Sequence, residues 1–199
     1  MILKGSKIDD FTDIWYVENT MIMRYAECAI NSLGARDVKK AVASGKLYKI
    51  EKGVYSDRPH EPTLAVIAAK YPAAVFTMNS AFYYHALTDD IPDKYYLATD
   101  KNASKIRDKR VTQFFENASY TLGAEETFVE GVSIRMYNKE RMLIELLRHK
   151  NQLPFDYYKE ILRNYRNLID NLDIQTIEEY MELLPKKKMI ETALQMEVF

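Results

Sequence analysis

Apolar residues recur at helical spacing over 8–17 and 20–30, which predicts two helices with Asp9 or Asp10 and Thr20 as N-caps. A third helix is expected over 35–44, with Gly34 before it and Gly45 after it. The period then shortens. Leu47-Tyr48-Lys49-Ile50 and Val54-Tyr55 predict two short strands around Glu51-Lys52-Gly53, a hairpin turn in which glycine accepts a positive φ. Two prolines in Ser56-Asp57-Arg58-Pro59-His60-Glu61-Pro62 follow this hairpin and precede a new apolar helix pattern, so a domain boundary is expected there.

Beyond it, helices are expected over 63–70, stopped by Pro72, and over 79–87, capped by Asn79 or Ser80. Strands are expected over 74–77, 94–99, 111–115, 127–129 and 132–136, the last two joined at Glu130-Gly131. Asn138 should cap a helix running to about His149, with Met142, Leu143, Leu146 and Leu147 on one face. Helices over 155–168, 174–184 and 187–196 complete the chain, punctuated by Pro154 and Pro185. The expected fold class is α+β: a winged helix-turn-helix over 1–58, then a second domain over 59–199. That domain would hold a small α/β core over about 63–150 and a helical tail over about 154–199. Ile161, Leu162, Tyr165, Leu168 and Ile169 lie at helical spacing in the tail, and core packing is their expected use.

A chain of 199 residues with 47% hydrophobic residues can bury a real core. Its apolar runs are too short for a membrane span, and its start lacks the pattern of a signal peptide. One cysteine, Cys28, excludes an internal disulfide framework, and a cytoplasmic location is expected. The net charge of −1 does not point to a polyanion partner, but its distribution does. Residues 31–58 carry seven basic side chains against three acidic ones, and residues 101–110 carry five against one, so two local fields are positive.

On an ideal helix over 35–44, with Arg36 at zero, Lys40 falls at about 40° and Lys39 at about 300°, whereas Ala41, Val38 and Val42 fall between about 140° and 240°. Basic and apolar residues therefore take opposite faces. A winged helix-turn-helix needs this arrangement: the apolar face packs inward, and the basic face enters the major groove. The hairpin is the wing, with Lys52 at its tip and Lys46 and Lys49 on the approach. Lysine and arginine there neutralise phosphates and release counterions. Candidate DNA-binding residues are thus Arg36, Lys39, Lys40, Lys46, Lys49 and Lys52. The run 101–110 offers a second contact through Lys105, Arg107, Lys109 and Arg110, expected to share one electropositive face with the recognition helix.

The run Gly45-Lys46-Leu47-Tyr48-Lys49-Ile50-Glu51-Lys52-Gly53-Val54-Tyr55 resembles the wing signature of the AbiEi-type antitoxin family. The order of later segments also resembles it, among them Ser80-Ala81-Phe82-Tyr83-Tyr84-His85-Ala86-Leu87-Thr88, Tyr95-Tyr96-Leu97-Ala98 and Arg135-Met136-Tyr137-Asn138-Lys139-Glu140-Arg141-Met142-Leu143. The likeness covers about 36–148. It implies an antitoxin of a type IV toxin–antitoxin, abortive-infection pair that represses its own promoter. Two copies would bind inverted repeats in double-stranded operator DNA. The C-terminal domain would counter an AbiEii-type nucleotidyltransferase toxin without a stable complex. The resemblance carries over no catalytic residue. The N-terminal 19 residues, with Trp15-Tyr16, extend beyond the motif.

Other chemistry finds little support. His60, His85 and His149 have no metal-ligand spacing, and His85 reads as a core or boundary histidine. Asp89, Asp90, Asp93 and Asp100 read as turn acids around Ile91-Pro92. Phosphate-cradling and Gly-x-Ser-x-Gly motifs are missing, so neither an enzyme nor a cofactor is expected. The alternative is a winged-helix regulator without a toxin, whose second domain binds a ligand or a protein.

Overall fold

The structure, a computed structural model, describes residues 15–17, 20–25 and 35–198. It is an α+β protein whose chain divides into two compact units. Met1–Pro72 with Phe128–Ser133 forms the first, and Ala73–Thr127 with Ile134–Phe199 the second.

The first unit opens with β1 (Trp15–Val17) and β2 (Thr20–Arg24), which pair antiparallel with Trp15 opposite Ile22. Helices were expected here, and strands stand in their place. Trp-Tyr-Val and Thr-Met-Ile-Met are aromatic and β-branched stretches, too short for their periodicity to separate helix from strand. Pairing decides: β2 has a neighbour on each side, and Ile22 and Met23 are both buried. The rest of the expected helices, 8–14 and 26–30, lies outside the described residues, as do Cys28 and the start of any helix pair before 35.

Helix α1 (Ala35–Ala43) follows, then β3 (Tyr48–Glu51) and β4 (Val54–Ser56). The strands run in the order β3-β4-β2-β1, with Arg24 of β2 opposite Val54 of β4. A Schellman motif ends α1. Gly45 sits at φ +71, its N–H donates to the Val42 carbonyl, and the Lys46 N–H donates to the Ala41 carbonyl. Helix α2 (Thr63–Lys70) packs on β2 and β4 and belongs to this unit, so the unit reaches past the 58/59 boundary read from the prolines.

The second unit contains β5 (Val75–Phe76), α3 (Met78–Tyr84), β6 (Tyr95–Asp100), β7 (Val111–Glu116), β8 (Ala124–Val129) and β9 (Val132–Tyr137), the last two being a hairpin whose tip counts with the first unit. Glu130 and Gly131 form its two-residue turn with φ +51 and +79, the signature of a type I′ connection. The strand order is β9-β5-β6-β7, with β8 on β9, and β6 and β7 are parallel. Four helices follow: α4 (Lys139–Arg148), α5 (Phe155–Leu168), α6 (Ile174–Leu183) and α7 (Lys187–Ala193). Asn138 caps α4, its side chain accepting from the Arg141 N–H, as the sequence predicts. Met142, Leu143, Leu146 and Leu147 are fully buried, and Ile161, Leu162 and Tyr165 of the tail are buried as well, whereas Leu168 and Ile169 are half-buried. Glu197 fastens the end of the tail, accepting from Lys150 Nζ at 2.8 Å and from the Tyr158 hydroxyl at 2.7 Å. Among the described residues no helix is long and apolar enough to cross a membrane.

Candidate nucleic-acid interface

Helix α1 is seated by Val38, which is buried against Met23 of β2 with Tyr55 of β4 packed on the pair. Ala41 is half-buried and Val42 is exposed, so the inward stripe is narrower than the sequence pattern suggests. Arg36, Lys39 and Lys40 are exposed, as expected for the face opposite Val38. Asp37 lies in the first turn, where its charge complements the helix dipole.

The hairpin continues this basic surface. Lys46, Lys49 and Lys52 are exposed. Lys52 occupies the turn beside Gly53, which sits at φ +83 and accepts at its carbonyl from the Tyr25 N–H at 2.9 Å. The one acid between 46 and 55, Glu51, is bound by Lys70 of α2 with Nζ–Oε2 at 3.0 Å. Lys70 thus offsets the Glu51 charge.

The second basic run joins the parallel strands β6 and β7 without a helix. Gln113 of β7 pins it. Its Oε1 accepts from the Ile106 N–H at 2.7 Å, and its Nε2 donates to Thr99 Oγ1 and to the Ser104 carbonyl. Asp100 closes the turn at its start, accepting from the Asn102 N–H, the role of a turn acid. Lys101, Lys105, Arg107 and Lys109 are exposed. Arg110 differs from them. Asp108 grips its guanidinium through Nε–Oδ1 at 2.9 Å and Nη2–Oδ2 at 2.7 Å, which cancels much of its field.

Two features of the second unit escaped the sequence reading. The first is a buried ion network. Arg141, fully buried, donates Nε–H to Glu145 Oε1 at 2.8 Å and Nη1–H to the carbonyls of Ser119 and Leu122. Glu145 Oε1 also accepts from Arg148 Nη1 at 2.6 Å, and Arg148 Nη2 reaches Glu116 Oε2 at 3.3 Å. Burial pushes the Glu145 carboxyl up, but His149, with Nε2 3.4 Å from Oε2, and the Arg141 and Arg148 charges outweigh it and hold the group at about 2. Glu116, Glu145 and His149 bring ligand-type atoms within 4.8 Å of one another. The Arg148 guanidinium already bridges the two carboxylates, so the chain's own cation holds the place a metal ion would take. The readable signal was the opposite-charge spacing Arg141…Glu145…Arg148, with Glu145 and Arg148 set among the apolar residues 142–147.

The second is a set of clefts, two of which are lined by residues of α3 or the turn after it. One, of about 260 Å³, is lined by His85, Glu125, Tyr137, Asn138 and Lys139 among others. His85 Nε2 lies 2.7 Å from the Tyr137 carbonyl, and burial lowers its pKa, so it fits the boundary histidine expected from sequence. The other, of about 520 Å³, lies between the turn after α3 and the start of α5. In comparisons with known proteins, the chain matches no family model and no curated protein.

Proposed function

We propose that this chain is a DNA-binding autorepressor and antitoxin of the AbiEi type. In this reading β2, α1 and the β3–β4 hairpin act as a winged helix-turn-helix, with α1 in the major groove and Lys49 and Lys52 of the wing on the backbone. The single observation that carries it is that Arg36, Lys39, Lys40, Lys46, Lys49 and Lys52 are all exposed on one helix and the hairpin after it, where Lys70 binds the intervening acid. Lys105, Arg107 and Lys109 supply further phosphate contacts, with Arg110 the weakest of that run because Asp108 holds it. Two copies occupy inverted repeats in the chain's own promoter. The second unit opposes a nucleotidyltransferase toxin in the cytoplasm without catalysing a reaction itself.

The test is a footprint on the promoter, followed by affinity measured against salt. Replacing Lys39, Lys40, Lys49 and Lys52 by alanine should flatten the dependence of log K on log salt by about 3.6, four phosphate contacts at about 0.9 each. An unchanged slope, or no footprint at low salt, overturns the reading. Neutralising Lys105, Arg107 and Lys109 separately asks the same of the second run, with about 2.7 expected. The alternative, a winged-helix regulator without a toxin, is favoured by the 260 Å³ cleft beside His85, a place for a small effector. A co-transcribed downstream frame with nucleotidyltransferase motifs separates the two.

A further inference from the structure

Strand β7 ends the strand order of the second unit, with β6 on one side and no strand on the other among the described residues. It pairs with β6 from Tyr95–Val111 to Asp100–Glu116 without a shift in register. The direction of its backbone groups follows from that register. Thr77 N–H donates to the Tyr96 carbonyl and Tyr96 N–H to Ser80 Oγ, so Tyr96 turns its backbone away from β7, and Tyr95, Leu97 and Thr99 turn theirs toward it. Tyr95 N–H donates to the Arg110 carbonyl at 2.8 Å, so Thr112, Phe114 and Glu116 face β6. The N–H and C=O groups of Gln113 and Phe115 therefore point outward, as does the Val111 carbonyl. The Val111 N–H is taken by the Asp108 carbonyl at 3.1 Å.

Native proteins blunt such an edge with lysine, proline, a bulge or a covering segment. The six residues Val-Thr-Gln-Phe-Phe-Glu contain neither lysine nor proline, and their ladder has no bulge. Among the described residues, the outward backbone groups of Gln113 and Phe115 have no hydrogen-bond partner. Phe115 is 49% exposed, and no residue of β7 is fully buried, whereas Leu97 and Ala98 of β6 are. The Gln113 side chain leans over β6, where Nε2 reaches Thr99 Oγ1 at 2.8 Å, and so stays clear of the outer edge.

The strand complements itself. In an antiparallel pair about a two-fold axis through Gln113, Gln113 faces its own copy, Val111 faces Phe115, Thr112 faces Phe114 and Arg110 faces Glu116. The strand follows Lys109 and Arg110 and ends in Glu116, so each basic end meets an acidic one. Each exposed Phe115 gains an apolar neighbour in the other copy's Val111. Moving the axis to Thr112 sets Asp108 against Glu116, two like charges, and moving it to Phe114 carries Arg110 past Glu116. The occupant that these ends select is a second copy of the chain.

We propose that two copies of this chain associate edge to edge through β7, antiparallel and centred on Gln113. The Gln113 N–H of each copy donates to the Gln113 carbonyl of the other, and the Phe115 N–H of each to the Val111 carbonyl of the other. An isologous contact of this kind closes on itself and covers both edges, so assembly through it stops at the dimer. It uses no residue of α1 or the β3–β4 hairpin and forms without DNA.

The test is sedimentation velocity of the full-length chain without DNA, from micromolar to near-millimolar concentration, with amide hydrogen exchange followed at both ends of that range. A concentration-dependent dimer is expected. The Gln113 and Phe115 amides should exchange slowly only in the dimer, whereas Thr112 and Phe114, bonded to β6, should be slow at every concentration. Phe115→Pro removes an outward N–H at a position where an edge strand accepts proline. It should raise the dimer dissociation constant about tenfold or more and leave the protection of Thr112 and Phe114 as in the native chain. Phe115→Lys, which puts a lysine on the edge and keeps the backbone donor, should weaken the dimer too and decides the matter if the proline variant loses that protection. Three results would overturn the proposal: a monomer throughout the range, a dimer in which Gln113 and Phe115 exchange as fast as in the monomer, or a dimer that folded Phe115→Pro and Phe115→Lys leave unchanged.

Discussion

Replacing Glu145 by glutamine removes the one group that both buried guanidinium ions share. Its side chain is 3% exposed, and Oε1 accepts from Arg141 at 2.8 Å and from Arg148 at 2.6 Å, while Oε2 lies 3.4 Å from His149 Nε2. Arg141 and Arg148 are balanced by Glu145 and Glu116, so the variant leaves one positive charge uncompensated in the interior. Breaking a buried pair in this way costs about 3–5 kcal/mol. The depressed pKa gives a second route to the magnitude. A shift from 4.5 to about 2 corresponds to about 3 kcal/mol of folding free energy. Because the folded value is the lower one, this stability is fully present above the unfolded pKa and is lost as the pH falls from about 5 toward 2. Urea unfolding of the native chain and of Glu145→Gln across this range is the assay. At pH 7 the variant should be about 3–5 kcal/mol less stable, and the gap should close as the pH falls. Glu116→Gln, which removes one longer contact at 3.3 Å, should cost less and keeps the comparison open if Glu145→Gln does not fold. A gap that stays constant from pH 7 to pH 3 would refute the account, since the carboxylate would then not be the titrating partner of the two arginines.

Two further predictions concern the backbone. Gly123→Ala should destabilise the fold by about 2–4 kcal/mol in urea unfolding, because the left-handed conformation at φ +73 strains any side chain and an added Cβ would meet Arg141 Cβ at 2.7 Å. Ala86→Gly should stabilise it by up to about 1 kcal/mol: Ala86 closes α3 in a Schellman motif at φ +56, and glycine relieves about 1–2 kcal/mol of strain against about 0.5–1 kcal/mol of added chain entropy. A clear loss of melting temperature in that variant would show that the Ala86 methyl group makes a packing contribution larger than its strain.

Where local chemistry and burial agreed, the fold was legible. Asn138 before an apolar run, glycine after α1 and Glu130-Gly131 between alternating residues each specify a cap or a turn by mechanism, and each is found. The start of the chain was not legible, because Trp15-Tyr16-Val17 and Thr20-Met21-Ile22-Met23 satisfy both periods, and only the pairing of β2 with β4 selects a strand. Arg141, Glu145 and Arg148 were missed for a related reason. A helix is expected to turn its charged residues to water, and here the charges are buried because they neutralise one another.

Arg36, Lys39, Lys40, Lys46, Lys49 and Lys52 are all exposed, and the acids placed beside the basic residues of each run set the strength of its field. Glu51 of the hairpin is paired with Lys70 of α2, whereas Asp108 is paired with Arg110 of its own run. These two pairs change the local field in opposite directions, strengthening the hairpin and weakening the end of the 101–110 run. The expected order of effect on the salt dependence of DNA binding is therefore Lys49 or Lys52 above Arg110. It follows from which acid sits beside which cation, a relation that the order of residues along the chain does not contain.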